Sequence, residues 1–143
     1  MSTQVLSKES VRSNLDAVFS PSSIAVVGAS TRPGSVGNDM LRNLIFSSYQ
    51  GAVYPVNPKS NHVLGIRTYP SLRAVPDPVD LAIVIVPADA VFDVVDQAVE
   101  KGVKGMVVIS AGFKEVGHDG MDKERRLAEK VRTDQSPQAL IIE

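Results

Sequence analysis

Three short stretches of this chain are almost wholly apolar: Ile24-Ala25-Val26-Val27, Leu81-Ala82-Ile83-Val84-Ile85-Val86 and Met106-Val107-Val108-Ile109. A strand with one wet face alternates polar and apolar residues, so unbroken runs of this length point to strands covered on both sides. Gly28 and Pro87 end the first two, and Ser110-Ala111-Gly112 follows the third. Parallel strands require long crossovers, usually helical, and the intervening segments supply them. Between Ser35 and Ser48, the residues Val36, Met40, Leu41, Leu44 and Ile45 recur at helical spacing behind Ser35, a suitable cap. Between Ala88 and Lys101, Val91, Val94, Val95 and Ala98 share one helix face. Ala52–Val56 reads as a second strand despite Pro55, and Asn57-Pro58 marks the turn after it. Residues 64–69 suggest a short extended excursion, 71–75 a helical turn, 121–132 a solvated helix and Ala139–Ile142 a last strand. The predicted class is α/β: a Rossmann-like, doubly wound parallel sheet in three αβα layers.

The 143 residues suit one domain, assigned to 15–143 behind a polar extension at 1–14, with Val11, Leu15, Val18 and Phe19 amphipathic across the junction. Fifteen Lys and Arg against sixteen Asp and Glu leave a net charge of -1, which gives no electrostatic basis for nucleic-acid binding. No apolar run nears the roughly 20 residues of a membrane span, and the first ten residues lack a signal-peptide core, so a cytoplasmic protein without a membrane partner is expected. With no Cys, thiolate chemistry and Cys-based metal sites are excluded. His62 and His118 have no sequence neighbours that suggest a triad or a metal site, so no catalytic residue and no metal is assigned.

Open α/β sheets bind ligands outside the carboxyl ends of their strands. That places Gly28 to Gly37, Val56 to Lys59, Val86-Pro87 and Ser110-Ala111-Gly112 around one crevice. The loop Gly28-Ala29-Ser30-Thr31-Arg32-Pro33-Gly34-Ser35-Val36-Gly37 joins a strand to a helix start, where backbone N–H groups can face an anion. It matches the dinucleotide pattern G-x-G-x-x-G poorly, because Ser30 stands at the second glycine and the spacing is longer; taken alone, its glycines could serve packing only. Nicotinamide folds usually end the second strand on a carboxylate that holds ribose hydroxyls, whereas this chain reads Val56-Asn57-Pro58-Lys59. An ammonium and an amide would accept a phosphorylated ribose, which favours a 3′-phosphorylated adenosine and leaves NADP open. Val86-Pro87 offers an apolar step, or merely a strand stop, and Ser110-Ala111-Gly112 a small hydroxyl and close backbone approach, or an ordinary loop.

Four segments, taken together and in order, carry a family resemblance: Phe19 to Ser30 (FSPSSIAVVGAS), Tyr54 to Lys59 (YPVNPK), Val79 to Pro87 (VDLAIVIVP) and Ser110 to Phe113 (SAGF). From about Leu15 to Lys130 the chain resembles the CoA-binding domain of the NDP-forming acyl-CoA synthetases, which include ADP-forming acetate–CoA ligase and the succinyl-CoA synthetase α subunit. The resemblance implies coenzyme A, or acyl-CoA, as ligand. The Ser30–Gly37 loop, with Arg32, Gly34, Ser35 and Val36, would wrap its phosphates. Lys59 with Asn57 would hold the adenosine end, and Val86, Pro87, Ser110, Ala111 and Gly112 would line its path. It also implies ligase and ATP-grasp domains or subunits, in cis or trans, that form acyl-CoA through an acyl phosphate and a phosphohistidine. Neither His62 nor His118 matches the family's histidine motif, so binding without turnover is expected of these residues. The chain also departs from the family's usual Gly-Pro-Asn continuation, ending Ser136-Pro137-Gln138-Ala139-Leu140-Ile141-Ile142-Glu143. The alternatives are an NAD(P)-binding oxidoreductase domain and a free-standing or acetyltransferase-fused CoA-binding module.

Overall fold

Successive side chains of a strand point to opposite faces, and the first apolar run divides on that rule. In the computed structural model, which describes residues 18–109, 138–142, Asp16, Arg125 and Arg126, strand β1 (Ser23–Val27) is buried along its whole length. Ala25 and Val27 enter one cluster with Val91, Val95 and Ala98 of the later helix. Ile24 and Val26 enter another with Leu41 of the earlier helix. The same parity holds for Ala82 and Val84 against Leu81 and Ile83, so the sheet is covered above and below. This is the doubly wound, three-layer plan expected from the apolar runs.

The remaining elements are α1 (Val36–Phe46), β2 (Ala52–Val56), β3 (His62–Val63), β4 (Ile66–Arg67), β5 (Leu81–Val84), α2 (Ala88–Lys101), β6 (Gly105–Ile109) and β7 (Gln138–Ile142). The main sheet has the order β2-β1-β5-β6-β7 and is parallel throughout. The chain leaves β1 for the β2 edge and then returns to β5 on the other side. A topological switch point therefore lies between the carboxyl ends of β1 and β5. Pro55 is tolerated because β2 is the edge strand. Its carbonyl still accepts from Tyr69 N–H at 3.0 Å, while Asn57 N–H donates to Tyr69 O at 2.9 Å, so segment 68–70 is laid along the edge.

The anticipated excursion at 64–69 is a two-stranded antiparallel hairpin, β3 with β4. The turn before Val75 is made by Ala74 and Val75 N–H groups donating three residues back. Helix α2 has the limits expected from its periodicity. By contrast, three residues read as part of apolar helix faces lie open to solvent: Phe19 is 81% exposed, Val36 54% and Ile45 36%. Most of the anticipated 121–132 helix lies outside the described residues, though Arg125 and Arg126 are helical. No helix among the described residues is long and apolar enough to cross a membrane.

The hairpin turns through Leu64 and Gly65, both with positive φ (52° and 77°). Two such residues between paired strands form the type I′ geometry that favours Asn-Gly. Leu64, exposed at the tip, carries the strain of a side chain in the left-handed region, a cost of roughly 1 to 2 kcal/mol for an L-residue. Leu64→Asn is therefore expected to stabilise the domain by about 0.5–1 kcal/mol, seen as a higher urea midpoint at unchanged slope.

Candidate functional site

The end of β1 is built by backbone meeting backbone. Gly28 N–H donates to Val56 O at 3.0 Å and Ile85 N–H donates to Val27 O at 2.7 Å, so the neighbouring strands clasp the β1 terminus from both sides. Gly28 has φ +96°, and a Cβ placed on it would lie 1.9 Å from Ile85 O. Only glycine satisfies both the dihedral and the space. Helix α1 then starts directly against this corner: a Cβ on Gly37 would lie 2.0 Å from Gly28 O. The two glycines at the ends of the loop thus serve a tight turn and close helix–strand contact. Gly34, with φ +82° and open space around it, serves the turn alone.

Inside the loop, Ser30 Oγ accepts from Arg32 N–H at 3.1 Å. Ser35 donates its hydroxyl to Arg32 O at 2.7 Å and caps α1 by accepting from Asn38 N–H at 3.3 Å. Asn38, 1% exposed, donates Nδ2 to Ser30 O at 2.9 Å, and its buried Oδ1 has no partner among the described residues. The anticipated cap at Ser35 is therefore present, and a pair of serines with one buried amide holds the loop in shape.

At the end of β2, Asn57 donates Nδ2 to Ala29 O at 2.7 Å while its Oδ1 accepts from Lys59 N–H at 2.8 Å. This amide was expected to meet ligand directly. In the structure it ties the β2 loop to the β1 loop and turns the backbone that presents Lys59. The Lys59 side chain is exposed, and no ion pair engages it among the described residues.

The ends of β1, β2 and β5 open into one cleft of about 550 Å³. Gly28, Ser30, Val56, Asn57, Pro58, Lys59, Val86 and Pro87 all line it, so three of the four anticipated loops converge. Arg32, Gly34, Ser35, Val36 and Gly37 do not line this cleft; they belong to the loop and helix start beside it. Ser110, Ala111, Gly112 and His118 lie outside the described residues.

The far wall was not read from the sequence. It consists of Pro70, Ser71 and Leu72 facing Ala90, Asp93, Val94 and Gln97 of α2. Gln97 Oε1 accepts from Leu72 N–H at 3.1 Å, Arg73 binds Glu100 through two nitrogens at 2.6 and 3.0 Å, and Lys101 donates to Val75 O. The hydrogen bond from Arg73 holds the Glu100 carboxyl below its ordinary range. Three polar residues of α2, one turn or less apart, thus clamp segment 72–75 in place. Only the tertiary position of the segment gives them this work.

A cleft at a switch point, with a glycine corner on one side and an unpaired ammonium on another, is suited to a phosphorylated nucleotide. Residues 22–137 match the protein-family model described as a CoA binding domain. The chain belongs to that family. The domain is 47% identical over 115 residues to "Acetate--CoA ligase [ADP-forming] I" of Archaeoglobus fulgidus, a match covering 80% of this chain and 16% of that protein. It is 41% identical over 123 residues to "Acetate--CoA ligase [ADP-forming] I subunit alpha" of Pyrococcus furiosus, covering 83% of this chain and 27% of that one. Among solved structures, the dinucleotide forming acetyl-coenzyme A synthetase 1 of Ca. Korarchaeum cryptofilum, in complex with phosphate and ADP, superposes with a TM-score of 0.81 at 42% identity, over 88% of this chain and 26% of that chain. The CoA-binding domain thus spans between 16% and 27% of the length of these relatives.

The loop glycines of the CoA-binding domain separate by mechanism. Gly28→Ala combines a forbidden dihedral with a collision against Ile85 O and should cost at least about 2 kcal/mol. Gly34→Ala meets no atoms and should cost only about 1 kcal/mol of backbone strain. Urea unfolding of the two variants checks the order.

Proposed function

We propose that this domain is the CoA-binding unit of an ADP-forming acyl-CoA synthetase, with ligase and ATP-grasp domains or subunits supplying the chemistry in cis or in trans. Its own part is recognition. In this reading the 3′-phosphate of CoA meets Lys59, and the diphosphate lies along the Ser30–Gly37 loop, where Arg32 and the free N–H groups of the α1 start can face it. Val86 and Pro87 support the apolar parts of the ligand.

The observation that carries the reading is the end of β2. Asn57 is held by two hydrogen bonds so that the next turn delivers an ammonium, not a carboxylate, to the cleft rim. A carboxylate here would repel a phosphorylated ribose, whereas an unpaired lysine attracts one. The cradle also fits: Gly28 packs the β1 terminus tightly against Ile85, and the buried Asn38 keeps the loop backbone fixed from below.

A ligand that binds only the folded state raises its unfolding temperature according to its affinity. CoA should stabilise the domain more than dephospho-CoA, and both more than NAD or NADP; stronger stabilisation by NAD than by CoA would reject the proposal. Lys59→Ala should weaken CoA by about tenfold, the scale of one charge-assisted hydrogen bond, and leave dephospho-CoA nearly unchanged. Equal losses for the two ligands would move the lysine's contact from the 3′-phosphate to the diphosphate. Calorimetric titration separates these outcomes.

A further inference from the structure

We infer that Asp93 recognises the base of the bound nucleotide, accepting a hydrogen bond from the exocyclic amine of adenine; the inference rests on the CoA reading given above. The cleft has two chemically different sides. Lys59 and the Gly28–Ser30 corner suit phosphate, while the α2 side carries a carboxylate, Asp93, among apolar neighbours. A carboxylate repels phosphate, so the charged part of the ligand lies toward Lys59, and a neutral ring is what the α2 side can take. Pro70, Leu72, Pro87, Ala90 and Val94 supply apolar surface for the faces of that ring.

The carboxylate is oriented before any ligand arrives. Gln97, 8% exposed, donates Nε2 to Asp93 Oδ2 at 2.9 Å and accepts with Oε1 from Leu72 N–H at 3.1 Å. A nearly buried amide with both ends engaged therefore fixes one carboxylate oxygen and leaves Oδ1 able to accept from a ligand. An ionised carboxylate only accepts, so it selects a base with a donor at its edge. Adenine carries an amine at position 6. Hypoxanthine carries a carbonyl there, which would face the carboxylate oxygen to oxygen, and its N1–H would meet the carboxylate only if the ring shifted from the position adenine takes. Loss of the donor leaves an oriented carboxylate oxygen facing a carbonyl, which disfavours the analogue.

The 143-residue chain, unsubstituted and as Asp93→Asn, would be titrated calorimetrically with CoA and with its deaminated, hypoxanthine-containing counterpart. The two ligands differ only at the base, so donors on the pantetheine arm cancel. The unsubstituted domain should prefer CoA by at least about tenfold. In Asp93→Asn, whose amide can both donate and accept, the preference should fall to about threefold or less, with the unfolding temperature unchanged because Asp93 is exposed. Equal binding of the two ligands by the unsubstituted domain, or a preference retained in Asp93→Asn, would overturn the inference while leaving CoA binding intact. No binding of CoA by the unsubstituted domain would overturn the underlying reading and this inference together. A purely helical role for the Asp93–Gln97 contact would change stability but not the ratio of the two ligands.

Discussion

The site depends on a place where three backbones come too close for any side chain. Gly28 sits under Ile85 O, and Gly37 sits under Gly28 O. Because neither position admits a Cβ, the β1 terminus, the β5 terminus and the α1 start are locked to one another at van der Waals distance. The crevice that a switch point leaves open is then narrow and fixed, with a helix start brought close to the β1 terminus. Glycine's entropic cost on folding is accepted here because the alternative is a wider and softer edge. The rest of the cleft extends from this corner.

Around it, polar side chains hold backbone instead of reaching outward. Asn57 bridges to Ala29 O, Asn38 to Ser30 O, Ser35 to Arg32 O, and Gln97 to Leu72 N–H. Asn57 and Gln97 join segments far apart in the chain, whereas Ser35 and Asn38 hold the loop between β1 and α1 from within; the buried Leu72 N–H that Gln97 satisfies would be costly to leave unpaired. A loop ordered this way has little conformational freedom left to lose when a ligand binds, so affinity is not spent on ordering it. The cleft is rigid because its amides and hydroxyls are already committed.

Much of this was legible from residue order, and what was hidden has a common cause. Unbroken apolar runs announced parallel strands covered on both faces. Ser35 announced its helix start, and the ends of β1, β2 and β5 announced three walls of the cleft. Pro70, Ser71, Leu72, Asp93 and Gln97 were silent because nothing local marks them. Their role exists only once segment 68–70 is laid along β2 and α2 folds over it. Asn57 was legible as important, but its work of tying two loops together was not, since an amide that stabilises a turn and one that binds phosphate have the same sequence signature. Val36, Ile45 and Phe19 show the converse limit: helical spacing predicts a face, but a parallel sheet of this width covers only the part of it that overlies the strands.

Among the described residues, the groups whose proton affinity is displaced lie in the braces of the fold and not in the cleft. General acids, general bases and nucleophiles are usually found where burial and neighbouring charge move them from their ordinary range. Here burial, then the charge of Asp80, raises Tyr49, which donates to Pro21 O at 3.0 Å. A hydrogen bond to Asp77 raises Tyr54, and a hydrogen bond from Arg73 lowers Glu100. None of these groups lines the cleft. They brace the sheet edges and the back of the far wall, while the cleft itself presents fixed dipoles, one ammonium and one oriented carboxylate. With fifteen basic and sixteen acidic residues in the whole chain, long-range steering of an anionic ligand is weak. Selectivity must therefore come from short-range placement, and placement is what the glycine corner and its polar braces provide.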